Sequence, residues 1–243
     1  MTSEHSDERQ FAVIVPAAGA SSRFVGLETK KPFVELAGIP IWIRTVSHFI
    51  HRTDVSEVVV VAAESDLPVF HSSATADLLE HLSFARGGDT RAESVLNGIQ
   101  ALSTTSRFVA VHDAARPLLT GEGITDLFAA AKQHGAVLPG LPITSTVKQI
   151  TAEGQVERTV DRSLLQLAQT PQVARRDLLE QAYLECANPA AFTDEASLLE
   201  AAGHTVFIHP GWSENIKITT AEDFALAEFL LERQCRPPEG SNS

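Results

Sequence analysis

Residues 11–33, FAVIVPAAGASSRFVGLETKKPF, constrain this chain more than any other stretch. FAVIV is an unbroken apolar run rich in β-branched residues, the pattern of a strand buried on both faces of a parallel sheet. PAAGASS follows, with no bulky side chain. Small residues let backbone N–H groups approach a ligand closely, and Gly19 reaches dihedrals closed to other residues. Aligned N–H groups in such a loop form a positive concavity suited to phosphate. Arg23, Lys30 and Lys31 then supply fixed charge. The loop matches neither GxxxxGK[ST] nor GxGxxG, and by itself it is as compatible with a tight turn as with a phosphate cradle.

The remaining strands are predicted from similar runs: EVVVVA at 57–62, SFAR before Gly87, FVAVH at 108–112 and AVLPGL at 136–141. Between them, helical spacing marks residues 41–49, 66–82 with a break near Pro68, 90–102 and 124–134. Ala92, Val95, Leu96, Ile99 and Leu102 share one face of the third of these. Strands alternating with helices imply parallel pairing and a three-layer α/β sandwich. Ligands in such sheets lie beyond the carboxyl ends of the strands. The small-residue loop, GGDT and HDAAR all follow predicted strands, so one sheet edge is expected to collect all three.

Residues 142–160 break the alternation. TSTVKQITAEGQVERTV alternates polar and apolar around a turn at Ala152, Glu153 and Gly154, and so predicts a hairpin. A lone two-stranded ribbon is marginal in water, so this one is expected to pack on its own sheet or on a second subunit. Further on, a short helix is expected to begin within 161–168, with helices at 175–185, 194–202 and 221–233. Short strands are expected at TPQVA, 205–210 and NIKIT. One domain over 11–234 with an arm at 142–160 is the economical count, with disordered tails at 1–10 and 235–243.

A formal net charge of −12 over 243 residues argues against nucleic-acid binding. An anionic small-molecule substrate would need cations gathered locally, against the global sign. Arg23, Lys30, Lys31, Arg116, Arg162 and Lys217 are the candidates, and they must converge in space. Cys186 and Cys235 form neither a disulfide framework nor a metal spacing, which fits a reducing cytoplasm. No apolar run has the length of a membrane span, and MTSEHSDERQ is too acidic for a signal peptide.

In order along the chain stand PAAGASSRF, KPFVELAGIPI, RGGDTRAESVLNGI, VHDAARPLL, TVDR, AQTPQ, TDEASLLEAAG and ENIKITTAEDFALAE. This ordered set resembles the 2-C-methyl-D-erythritol 4-phosphate cytidylyltransferases of the non-mevalonate isoprenoid pathway, over residues 11–232. The resemblance implies a Rossmann-like nucleotidyltransferase sandwich with a mostly parallel central sheet and a protruding β-hairpin arm. It also implies a reaction: CTP and the phosphorylated polyol give a CDP-linked alcohol and pyrophosphate, with a divalent cation, Mg²⁺ first among them. Carried over position by position, Arg23 and Lys31 would stabilise the transition state at the α-phosphorus. Arg162 and Lys217 would position the acceptor, with Asp113, Arg116, Thr146 and Thr170 completing its pocket. Ala17, Ala18 and Gly19 would contact CTP through their backbone, with Gly88, Asp89 and Ser94 near cytosine and ribose. The arm would reach a neighbouring protomer of a homodimer.

Two departures stand out: Ser21 occupies a position where the family usually has glycine, and the chain before the catalytic lysine is one residue longer. Lys31 is preferred because KPFVELAGIPI then aligns without a gap, and Lys30 is the fallback. Asp113 is open to metal binding, substrate contact or helix capping, and Arg116 to phosphate contact or an acidic partner. His112 carries no assigned role, and Asp194 and Glu195 read as helix-start carboxylates that support the structure. A ribitol 5-phosphate cytidylyltransferase and a nucleotide-binding module without turnover are the alternative functions.

Overall fold

The computed structural model describes residues 9–18 and 30–235. The expected loop at Gly19 and Arg23, and most of both expected tails, lie outside these residues. Strand β1 (Phe11–Pro16) is the apolar run that opens the chain. A 3-10 turn at Lys31–Phe33 leads through the short ribbon β2 (Glu35–Leu36) and β3 (Ile39–Pro40) into α1 (Ile41–Ser47). Next come β4 (Val55–Ala62), α2 (Leu67–Ser73), α3 (Ala76–His81) and β5 (Leu82–Arg86). The chain continues through α4 (Arg91–Gln100), β6 (Phe108–Val111), α5 (Gly121–His134) and β7 (Ala136–Pro142).

After the hairpin β8 (Val147–Ile150) and β9 (Val156–Val160) come β10 (Gln166–Ala168) and β11 (Gln172–Arg175). Helices α6 (Arg176–Glu185) and α7 (Glu195–Ala201), strand β12 (Phe207–Pro210) and α8 (Ala221–Cys235) complete the described chain. Two expectations fail locally. Residues 161–168 form a turn and then β10, which pairs antiparallel with β7, rather than a helix. NIKIT joins no ladder.

The sheet runs β5-β4-β1-β6-β11-β7, with β10 and β12 also paired to β7. Strands β5, β4, β1 and β6 are mutually parallel, and β11 enters antiparallel. From β1 the chain winds outward to β4 and β5, then crosses back to β6 on the opposite side of β1. The reversal leaves a switch point between β1 and β6, where doubly wound sheets open a crevice at the carboxyl ends of their strands.

Alternation along the inner strands divides two cores. Phe11, Val13, Val15, Val58 and Val60 face α1 and α5, where Trp42, Val46, Ile124 and Phe128 are buried. Ala12, Ile14, Val59 and Val61 face α4, α6 and α7, with Val95, Ile99, Leu179 and Leu198. Each fully buried side chain of this kind contributes about 1.5–3 kcal/mol, so both faces of the sheet hold the layers in place. A third cluster, with Leu36, Ile41, Leu118, Ile218 and Ala227, docks α8. Helix α4 approaches the sheet closely because Gly98 has no side chain: a Cβ there would lie 2.6 Å from Ile14 Cγ2 and 2.9 Å from Val61 Cγ2.

Candidate active site

A cleft of about 400 Å³ opens at the switch point, lined by residues from each of the three strand ends that the sequence marks. Pro16, Ala17 and Ala18 come from the end of β1. Gly88, Asp89, Thr90, Arg91 and Ser94 come from the loop after β5 and the start of α4. Asp113, Ala114 and Ala115 follow β6, and Lys31 and Lys217 complete the wall.

The loop after β5 is held by its own side chains. Thr90 and Glu93 form a capping box at the start of α4. The Glu93 carboxylate accepts from the N–H groups of Asp89 and Thr90, and Ser94 Oγ accepts from Gly88 N–H at 3.1 Å. Gly87 brings this loop against β1, since a Cβ on it would fall 2.2 Å from that of Ala18. Ser94 is therefore buried in the loop it shapes.

Asp113 is the electrostatic centre of the cleft. Lys217 Nζ lies 2.8 Å from its carboxylate, Arg116 Nε 3.6 Å and Arg91 3.7 Å. Burial alone would push this carboxyl up; the Lys217, Arg91 and Arg116 cations more than offset burial and hold it below the usual carboxylate range. Arg91 also makes a bidentate contact with the buried Glu195, at 2.7 and 3.0 Å. Lys31 also lines the cleft, its Nζ 3.4 Å from the Thr219 carbonyl. Partial burial and the neighbouring Lys217 lower its pKa, against a weaker pull from Asp223.

Lys31 and Lys217 thus share the cleft. Lys30 does not: its ammonium pairs with Asp66 at 2.6 Å. Arg116 lies behind Asp113, donating to the Asn215 carbonyl at 2.7 Å. Thr170 is buried beneath the cleft and accepts from Asp113 N–H at 3.1 Å. Thr146 and Arg162 stand apart on the exposed arm, where Arg162 donates to the Thr144 carbonyl across its base. Among the described residues of one chain, then, the candidate cations gather only in part.

Sequence reasoning passed over Arg91 and Asn215. A cation at the first position of a helix opposes the helix dipole, and for Arg91 that mismatch was the available signal. Asn215, fully buried, donates to the Thr170 carbonyl; nothing beyond its place beside Lys217 marked it.

Small-residue and glycine-bearing loops at the switch point, with cations lining a crevice, define an α/β nucleotidyltransferase. The family model for 2-C-methyl-D-erythritol 4-phosphate cytidylyltransferase matches residues 11–233. A relative of that name from Symbiobacterium thermophilum is 40% identical, covering 93% of this chain and 94% of the relative. The solved structure of the Francisella tularensis protein of the same name superposes with a TM-score of 0.77 at 32% identity, covering 90% of this chain and 99% of that one. A structure described as 4-diphosphocytidyl-2C-methyl-D-erythritol synthase, from Anaerococcus prevotii, gives 0.77 at 27% identity, covering 94% and 99%. The chain belongs to the 2-C-methyl-D-erythritol 4-phosphate cytidylyltransferase family. Among its described residues no helix is long and apolar enough to cross a membrane.

Proposed function

We propose that the cleft binds CTP and 2-C-methyl-D-erythritol 4-phosphate and forms 4-diphosphocytidyl-2-C-methyl-D-erythritol with release of pyrophosphate. The acceptor's phosphate oxygen attacks the α-phosphorus, and pyrophosphate leaves from the opposite side. A phosphate monoester has a second pKa of about 6 and is mostly dianionic at neutral pH, so no side chain need take a proton. Catalysis is then positioning and charge stabilisation. Lys31, with Arg23 from the loop beyond the described residues, stabilises charge on the α-phosphoryl oxygens. Backbone at Ala17, Ala18 and Gly19 approaches the nucleotide, and Gly88, Asp89 and Ser94 form its base and ribose end. Lys217 and Asp113 hold the acceptor, with Arg116 behind Asp113 and Thr170 beneath it completing that end of the pocket.

The carrying observation is that Lys31 and Lys217, from opposite ends of an acidic chain, line one crevice. Among the described residues no three His, Cys, Asp or Glu side chains gather into a metal cage. Magnesium fits here in another way, since it is commonly held by substrate phosphates and one or two carboxylates. Asp89 and Asp113 on the cleft wall would supply those, and the cation would neutralise triphosphate charge.

Thr146 and Arg162 reach an acceptor only if the arm enters a partner's cleft, so the working form is a homodimer. The arm carries the support for this: Ile150 and Val156 are cross-strand partners that stay 57% and 59% exposed, and nearby Leu164 is 92% exposed. The protein works in the cytoplasm. Purified protein with CTP, Mg²⁺ and the methylerythritol phosphate should release pyrophosphate and the CDP-linked alcohol, identified by mass. Faster turnover with ribitol 5-phosphate, or CTP binding without turnover on either acceptor, would overturn the assignment.

A further inference from the structure

The turn after β6 is held at four consecutive carbonyls. Thr45 Oγ1 donates to the Ala114 carbonyl at 2.9 Å and Ile218 N–H to that of Ala115 at 2.9 Å. His112 Nε2 meets the Arg116 carbonyl at 3.0 Å, and His48 Nε2 meets that of Pro117 at 2.8 Å. A carbonyl only accepts, so the hydrogen on His112 is at Nε2, and Nδ1 of the neutral ring carries a lone pair. Thr170 Oγ1, 3.0 Å from that Nδ1, must then donate to it. The same oxygen accepts from Asp113 N–H at 3.1 Å.

The chain of bonds has one direction: Asp113 N–H to Thr170, Thr170 O–H to His112, His112 N–H to Arg116. His112, Asp113 and Thr170 are buried, with His112 fully enclosed. Full enclosure, with a carbonyl and a hydroxyl as its hydrogen-bond partners, keeps the imidazole neutral. The carbonyl of Thr170 takes the Asn215 amide at 2.8 Å. HDAAR, TPQ and NIK are therefore tied together through Thr170, whose hydroxyl meets the His112 ring and whose carbonyl takes Asn215. Phe49 covers the ring edge-on, 5.5 Å between centroids, so an apolar ring would fill the space but satisfy neither polar partner.

We propose that His112 is a positioning residue for the acceptor end of the reaction, its Nδ1 lone pair orienting the Thr170 hydroxyl and, through it, Asp113. The inference rests on the acceptor subsite assigned above. Full-length His112→Asn, His112→Gln, His112→Phe, Thr170→Val and the His112→Phe/Thr170→Val double variant test it. Asparagine places an oxygen where Nδ1 stands; glutamine reaches towards Nε2 and leaves Thr170 without its acceptor. Steady-state kinetics for each substrate are read beside CTP affinity by calorimetry.

His112→Gln and His112→Phe should lower kcat/KM for the phosphate acceptor about 10- to 100-fold, the scale of a small misplacement of reacting groups. Their CTP affinity should stay within about threefold. His112→Asn should keep activity within about fivefold of wild type, and Thr170→Val should cost less than about twofold more in the His112→Phe background. The Asn and Gln pair carries the test if His112→Phe fails to fold. Equal losses in Asn and Gln, multiplicative losses in the double variant, or parallel losses for both substrates would overturn the proposal. Wild-type protein that fails to use the acceptor would overturn the substrate reading instead.

Discussion

Lys30 and Lys31 are neighbours of one chemical type, and their surroundings separate them. The Lys30 ammonium is held by Asp66. Lys31 faces the cleft, with Lys217 near enough to lower its pKa. Lys31→Ala should therefore reduce turnover by about 10²–10³-fold while CTP affinity falls much less. Lys30→Ala should stay within about threefold, because an exposed pair contributes about 1 kcal/mol or less. Pyrophosphate release and calorimetry check both, and unchanged turnover in Lys31→Ala would remove it from catalysis. His112 gives a second residue-level expectation. Its pKa lies near 3 in the folded protein, against an ordinary value near 6.5. Between those values the unfolded chain binds a proton that the folded chain refuses. For this group stability falls as pH drops through that window, by up to about 1.4 kcal/mol per pH unit, while Glu195, its carboxyl pushed up by burial, pulls the other way. Burial also lowers the pKa of His48, which adds to the same slope. Depressed carboxylates such as Asp113 lose their contribution only lower, below about pH 4. Urea unfolding between pH 5 and 6.5 should show the slope, reduced by about one proton in His112→Asn; an unchanged slope would mean that the ring accepts a proton when folded.

Elements were legible where burial is one-sided in its demands. The β1 and β4 runs face helices on both sides and tolerate no polar residue at their centres. The helix expected at 66–82 is broken, but not at Pro68, which sits in the first turn of α2, where a missing N–H costs nothing. The break falls at Ala74 and Thr75, the latter capping α3 by accepting from Leu78 N–H. Residues 161–168 carry leucines at helical spacing. Pairing of Leu167 with Leu141 on β7 overrides that local preference. At the α4–β1 contact, Gly98→Ala sets a helix-propensity gain of up to about 1 kcal/mol against overpacking of about 1–3 kcal/mol. The methyls it meets, on Ile14 and Val61, belong to buried β-branched side chains on central strands and cannot swing away. Overpacking wins, and the melting temperature should fall by several degrees in scanning calorimetry; a rise would mean that α4 floats on the sheet. In the arm, Ile150→Glu with Val156→Glu should leave the protomer folded, since both side chains are exposed in it. The pair should convert the proposed dimer to monomers in sedimentation velocity and depress turnover with it. An active, dimeric double variant would remove the arm from the interface.

At the scale of the whole molecule, a net charge of −12 opposes two anionic reactants, and the fold answers by placing few cations with care. Loops after β1, β5 and β6 converge because parallel strands deliver their carboxyl ends to one edge; the alternation of strands and helices made that readable. Which cations face the crevice was not readable, because Lys30 and Lys31 differ only in the turn that carries them, and Arg91 depends on the distant Glu195. The same charge arithmetic fixes where magnesium can matter. Asp113 already faces three cations, so without nucleotide the cleft offers a divalent ion little beyond Asp89. CTP brings the phosphate oxygens that change this. Mg²⁺ alone, or removal of metal with EDTA, should leave the melting temperature unchanged. Mg²⁺ and CTP together should raise it more than the sum of their separate effects, following the linkage RT ln(1 + [L]/Kd). EDTA should nonetheless abolish pyrophosphate release. A melting temperature that drops on chelation without nucleotide would show a resident metal held by protein groups, and the cation would then belong to the fold rather than arrive with the substrate.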